Sequence, residues 1–344
     1  MNNAVQGYDI IGDVHGCATK LEALLTALDY QVDGSSVFRH PRRQAIFVGD
    51  LIDRGPEQLR VLEIVKAMVD AGSAQIVMGN HEFNALAYHT EWPGGSGKFL
   101  RPHDDPDDDR SEKNTDQHSA FLTQVTGADR QRYLEWFTTI PLWLDLDNLR
   151  VVHACWHDES IAAVETRCDS ATPFADVKHL VAASTKHDPL FRAVETLLKG
   201  PEISLVDHGE LPYHDKDGHP RDSARMRWWN STGRTLRDIA EMGGRFTTAT
   251  GEPYPPLPDL ELPHDTQSYV YTGDVPVFYG HYWRQGTPEH QHDWTEYTAC
   301  VDFSAVKGGE LMAYRWSGES RIQPENYVTA GQVECIDVVA SPPH

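Results

Sequence analysis

Near the start of the chain, three short apolar runs each end in glycine followed by a polar residue: YDIIGD reaching Asp13, AIFVGD reaching Asp50 and AQIVMGN reaching Asn80. They recur roughly every 30 to 40 residues, the length of a strand, a covering helix and the next strand. The intervening segments carry helical periodicity. Leu21, Leu24, Leu25 and Leu28 follow the i, i+3, i+4, i+7 spacing of one buried face, and Leu59, Leu62, Val65 and Met68, three apart, form a stripe behind Pro56, with Gly72 as the stop. The pattern predicts an α/β chain with parallel strands and covering helices, and a sandwich of mixed sheets fits it equally well. Further strands are expected at LRVVHA, VPVFYGH, YTACVDF and ELMAYRW, the last two joined like a hairpin by SAVKGG. Helices are expected at TPFADVKHLVAA and DPLFRAVETLLKG.

Composition narrows the function classes. With 30 basic and 52 acidic residues the net charge is −22, which disfavours a sequence-independent grip on duplex nucleic acid or an anionic membrane. No apolar run approaches the roughly 20 residues of a membrane span. The opening MNNAVQGYDII lacks the basic start and apolar stretch of a secretory leader. The 5 cysteines have no CxxC spacing, so reduced thiols in a cytoplasmic protein are expected. The whole chain, 1–344, reads as one catalytic domain with two insertions. Residues 93–118 are polar and acidic and predict a solvated loop, whereas residues 201–268, rich in Pro, Gly, His and aromatics, predict a segment that shapes a cleft.

Each buried-looking strand ends in a potential ligand. Beyond the carboxyl ends of parallel strands is where open sheets bind ligands, so Asp13, His15, Asp50, Asn80, His153 and His281 would converge at one rim. Mixed oxygen and imidazole donors suit a transition-series divalent ion better than Ca²⁺. A pair of cations needs a shared carboxylate, and Asp50 is the natural bridge. Singly, each residue is as readily a turn, cap or core residue. GGSG at 94–97 lacks the Lys-Ser/Thr ending of a nucleotide P-loop and reads as loop.

In conjunction, GDVHG, GDLIDRGP, GNHE, VVHA and YGH, in this order, strongly resemble the phosphoprotein phosphatase branch of the calcineurin-like metallophosphoesterases. The resemblance implies a central mixed β-sandwich flanked by helices. It assigns Asp13, His15 and Asp50 to one metal ion and Asp50, Asn80, His153 and His281 to a second. The ions are expected to be Mn²⁺, with Fe, Zn, Mg or Ni as alternatives. By the same pattern His81 is the proton donor to the leaving group, Asp53 holds its imidazolium, and Arg54 and Asn80 meet the substrate phosphate. Tyr282 and Trp283 stand where many relatives carry a second histidine in Gly-His-x-His, which favours the phosphatase branch. Asp302 is weighed equally as a support for a ligand and as a turn residue.

A second phosphate-binding arginine is expected from the resemblance, with Arg227 chosen over Arg225 and Arg221. Trp228 and Trp229 read as packing more readily than as cleft walls, and Trp156 and Trp283 share that ambiguity. His208, His214, His219, His264, His290 and His292 are expected in loops or at the surface.

The expected function is hydrolysis of a phosphomonoester on a phosphorylated protein or peptide, at serine, threonine or tyrosine, by in-line attack of a hydroxide bridging two metal ions. The alternative is a dinucleoside polyphosphate hydrolase acting on a small nucleotide substrate. An adenine-sized slot at Trp228 or Tyr213 would favour the nucleotide, and an open groove the phosphopeptide. A catalytically silent phosphate-binding scaffold is the third reading, and it leaves His81 without a purpose.

Overall fold

The computed structural model describes residues 5–215, 218–242, 246–263 and 269–335. Two mixed sheets form its frame. Their strands in chain order are β1 (Gly7–Ile11), β2 (Arg43–Phe47), β3 (Ala74–Ile76), β4 (Trp143–Asp145), β5 (Arg150–Val152), β6 (Val277–Tyr279), β7 (Thr298–Cys300), β8 (Met312–Trp316) and β9 (Tyr327–Thr329). One sheet has the order β9-β8-β1-β2-β3 and the other β7-β6-β5-β4. β1, β2 and β3 run parallel, as do β5, β6 and β7, while β8, β9 and β4 pair antiparallel at the flanks.

Alternation along the strands explains why the sheets stack. Ile10, Ile46, Val151, Phe278 and Ala299 point into one buried cluster between the sheets. Their neighbours Ile11, Phe47, Val152, Tyr279 and Cys300 point the other way, into a larger cluster beneath the helices. A strand buried on both faces loses the polar-apolar alternation of a half-exposed one, which is why these runs read as continuously apolar. The mixed β-sandwich implied by resemblance is therefore the architecture, not a doubly wound sheet.

Helices α1 (Ala18–Ala27), α2 (Gln58–Asp70), α3 (Asn80–His89), α4 (Ser111–Gln124), α5 (Gly127–Phe137), α6 (Asp158–Cys168), α7 (Val177–Ser184) and α8 (Pro189–Lys199) cover the frame. The leucine stripe of α1 is fully buried. α8 starts where Asp188 accepts from the Leu190 amide, with Pro189 at its first position, and stops at Gly200. The expected helix over TPFADVKHLVAA is broken: a short 3₁₀ turn at Pro173–Ala175 precedes α7, because Asp176 caps the Lys178 amide instead of continuing the turn.

Several expectations are corrected. α4 begins inside the segment read as a solvated loop, since His118 and Phe121 bury one face of it. β7 and β8 are not a hairpin. They belong to different sheets, and the chain crosses between them through Ser304 at φ 59 and a 3₁₀ turn at Ala305–Lys307. Cys17 and Cys335 are joined as a disulfide, with Cα atoms 5.5 Å apart across 318 residues, so the reduced-thiol reading holds only for Cys155, Cys168 and Cys300.

The described residues between 201 and 263 build a small lobe around short strands at Glu202–Ser204, Ser223–Met226 and Ala240–Glu241. Its own apolar cluster includes Ile203, Met226, Leu236 and Leu257. His264 lies outside the described residues. No described helix is long and apolar enough to cross a membrane.

Candidate metal centre

The six candidate ligands follow the carboxyl ends of β1, β2, β3, β5 and β6, so both sheets deliver side chains to one end of the sandwich. Asp50 occupies the middle. Its Oδ2 lies 3.6 Å from His15 Nε2 and 3.8 Å from His81 Nε2, and its Oδ1 lies 3.5 Å from His153 Nε2. Asn80 Oδ1 is 2.7 Å from His281 Nδ1 and 3.1 Å from His153 Nε2. Two groups of donor atoms result, His15 with Asp50 and His81, and Asp50 with His153 and His281, each within 4.8 Å and sharing Asp50.

The imidazoles are aimed from behind. His15 Nδ1 lies 2.8 Å from the Ile52 carbonyl and His153 Nδ1 2.7 Å from the Val48 carbonyl. A ring that donates from Nδ1 to a carbonyl presents the Nε2 lone pair on its other side, toward Asp50. His15 Nε2 is buried and has no hydrogen-bond partner among the described residues. Such an atom is costly to leave unsatisfied and is explained by a cation it would ligate. Burial and then His81 push the His15 ring down to about 3, and burial also holds His153 low, so both stay neutral, as ligands must.

The carboxylates respond in opposite directions. Burial, then Asp302 and Asp50, drive Asp13 well above the usual carboxylate range. Burial also works against Asp50, but His153, His81 and His15 outweigh it and lower it. A dense buried set of carboxylates and neutral imidazoles fits two divalent cations, whose charge would reverse the penalty on Asp13. Asp13 falls in neither group; its oxygens accept from the His281 amide at 3.1 and 3.3 Å. His81 stands with His15 in its place.

The turns carrying these groups are strained. His15, Asp50, Asp53, Arg54, His281 and Trp283 all have positive φ, between 45° and 73°. For residues with a Cβ this backbone is disfavoured, and it is concentrated here because ligand direction overrides local preference. Glu82 ties the turns together. Its carboxylate accepts from the amides of Asp50 and Leu51, both at 2.8 Å, and of Gly79 at 3.1 Å.

Beside the ligands, His81 Nδ1 lies 2.5 Å from Asp53 Oδ2. Burial disfavours the His81 charge, but Asp50 and Asp53 outweigh it and raise the ring above its ordinary value. A residue overlooked in the sequence joins them: His118 Nδ1 lies 2.8 Å from Asp53 Oδ1. Only the turn to a buried helical face at α4 could have revealed it. Arg54 is exposed, its guanidinium 4.4 Å over the Trp283 ring, which itself stacks on His15.

These groups open into a cleft of about 890 Å³ lined by Arg54, Arg101, Lys186, Arg221 and Arg225 among others. Arg227, chosen from the sequence, is placed away from this cleft. Its Nε pairs with Glu241 at 3.1 Å and the residue lines a separate cavity of about 360 Å³. Trp228 and Tyr213 are buried in apolar clusters and form no adenine slot, and Trp156 and Trp229 are buried likewise. Trp283 alone of these tryptophans faces the cleft. Asp302 accepts from the amides of Trp283 at 2.7 Å and Ser304 at 3.0 Å, so it fixes the loop after His281.

The chain is 30% identical over 171 residues to a bis(5'-nucleosyl)-tetraphosphatase PrpE [asymmetrical] of Oceanobacillus iheyensis, covering 49% of this chain and 64% of that one. The chain thus spans less than two thirds of the length of that curated relative. It is 27% identical over 317 residues to a symmetrical bis(5'-nucleosyl)-tetraphosphatase of Pectobacterium carotovorum, covering 89% and 90% of the two chains. Among solved structures, a cold-active protein tyrosine phosphatase is similar at TM-score 0.45 and 16% identity, covering 96% and 80%. The family profile described as calcineurin-like phosphoesterase matches residues 8–282. A match over most of the chain, on the segment that carries every candidate ligand, makes this protein a member of the calcineurin-like phosphoesterase family.

Proposed function

We propose that the chain is a dinuclear metal-dependent phosphohydrolase, and that its substrate carries several phosphates, as in a dinucleoside polyphosphate. The observation that carries the proposal is Asp50 shared between two groups of donors at the floor of a cationic cleft, in a chain whose net charge is −22. One phosphate needs one or two arginines. Cations extending from Arg54 to Lys186 and Arg225 suit a longer anion. The names of the relatives point the same way.

His15, Asp50, His153, His281 and Asn80, with Asp13 behind His281, would hold two divalent cations. When bound, these polarise phosphoryl oxygens and make water nucleophilic at neutral pH. The chain's own groups do the rest. Arg54 can engage two phosphoryl oxygens with its planar fork. His81, whose ring Asp50 and Asp53 push above its ordinary value against burial, can release the Nε2 proton to the departing oxygen. Asp53 holds the ring through Nδ1.

A phosphomonoesterase is the second reading, favoured by the absence of an aromatic slot at Trp228 or Tyr213. Metal-loaded protein should be offered diadenosine tetraphosphate, a phosphotyrosine peptide and a phosphoserine peptide. Preference for the dinucleotide by kcat/KM supports the proposal. Preference for either peptide supports the second reading, and no turnover of any substrate rejects both.

A further inference from the structure

We infer that His118 is a positioning residue for the proton donor, holding the Asp53 carboxylate in the orientation that His81 requires. The inference rests on the phosphohydrolase reading of the same site. His118 is 3% exposed, on the inner face of α4. Each oxygen of Asp53 meets one imidazole: Oδ2 faces His81 Nδ1 at 2.5 Å and Oδ1 faces His118 Nδ1 at 2.8 Å. A carboxylate bonded at one oxygen only can rotate about its last torsion, which is broad and two-fold. Bonded at both, it cannot turn without breaking a charge-assisted hydrogen bond.

The backbone beneath Asp53 is secured separately. Gln58 accepts from the Asp53 amide at 2.7 Å and donates to the Asp53 carbonyl at 3.1 Å. The loop itself does not need His118. What His118 adds is the direction of the carboxylate, and through it the tilt of the His81 ring toward the leaving oxygen.

Packing alone does not explain the residue. Its ring stacks on Phe121 with centroids 4.8 Å apart, and Tyr88 and His89 lie 5.0 and 5.5 Å away, surroundings that a phenylalanine would suit. Instead an imidazole is buried whose Nε2 has no hydrogen-bond partner among the described residues. An unsatisfied buried polar atom costs about 1–3 kcal/mol. Among the described residues, the single polar contact of the ring is the one to Asp53.

Proton donation matters most when the leaving group is basic, so the test reads leaving-group dependence. His118→Phe keeps the stacking and removes the donor, and His118→Asn keeps an N–H near the position of Nδ1. On metal-loaded protein, His118→Phe should lower kcat for phenyl phosphate by about tenfold, a fraction of the total worth of a general acid, and change dinitrophenyl phosphate turnover by less than about twofold. His118→Asn should recover most of the loss. An equal loss on both esters, or none, overturns the inference. Independently of the variants, nitrogen-15 histidine spectra of metal-free wild-type protein should show the His118 proton on Nδ1. A ring protonated only at Nε2 overturns the inference even if His118→Phe fails to fold. Wild-type protein inactive toward both esters and toward diadenosine tetraphosphate would instead sink the phosphohydrolase reading.

Discussion

Asn80 Oδ1 lies 2.7 Å from His281 Nδ1, joining residues 201 positions apart, and the same oxygen is 3.1 Å from His153 Nε2. A side-chain amide oxygen between two imidazoles is the arrangement expected when all three face one cation. Asn80→Ala should therefore reduce bound divalent metal from roughly two ions per chain to roughly one, measured by elemental analysis after dialysis. Full retention of both ions would remove Asn80 from the ligand set.

Arg54 is held over Trp283 by a cation–π contact at 4.4 Å and reaches the cleft with an exposed guanidinium. Lysine would preserve the charge and lose the fork. Arg54→Lys should lower kcat/KM by about 100-fold, the usual loss when a group that stabilises developing charge is removed. Metal content should not change. Wild-type kinetics in this variant would assign Arg54 to the surface.

Arg225 and Arg227 separate function from packing. Arg225 lines the cleft, and Arg227 is paired with Glu241. Arg225→Ala should raise KM for a phosphate substrate at least about tenfold, as loss of a charge-assisted hydrogen bond does. Arg227→Ala should leave KM alone and lower the unfolding midpoint. The reverse pattern would restore Arg227 as the anion-binding residue.

That pair also marks where sequence reading stops. The two arginines are two apart, which on a continuing strand would put them on one face. The strand ends at Met226, however, and the Arg227 amide turns to the Ile239 carbonyl. The frame and the ligands were legible because they depend on short-range pattern: apolar runs for strands buried on both faces, and polar residues one to four positions beyond their ends. His118 was not, because its partner Asp53 is 65 residues away and its helix lies in an acidic, polar stretch. Nor was the pairing of Cys17 with Cys335, since nothing in spacing identifies partners that distant. Asp13 and His81 show a middle case. Both could be recognised as site residues, but which of them stands nearer His15 depends on side-chain directions that only tertiary structure fixes.

Gly280 precedes His281 because nothing larger fits. A Cβ there would lie 2.0 Å from Asp13 Oδ1 and 2.8 Å from Val48 Cγ2. Gly280→Ala must displace the Asp13 carboxylate or the His281 turn. Overpacking of this kind costs about 1–3 kcal/mol, so the urea midpoint should fall and metal affinity with it. Unchanged metal binding would mean that Asp13 is not needed to seat His281.

Glu241 of the small lobe meets the buried Arg284 at 3.3 Å, and His292 completes the network at 2.6 Å from Asp293. Hydrogen bonds to Asp293 and Glu241 raise the His292 imidazolium to about 9, against burial and the Arg284 charge. Because the folded value lies above the ordinary 6.5, His292 contributes its full stabilisation below about pH 6.5 and loses it as the pH rises through 9. Its side chain is 38% exposed, so solvent screening limits the effect to under about 1 kcal/mol. The difference in urea midpoint between wild type and His292→Gln should therefore favour wild type at pH 6 and vanish by about pH 10. A difference that grows with pH would carry the wrong sign for a protonated ring, and would mean that His292 enters the fold neutral and leaves Arg284 to hold the lobe alone.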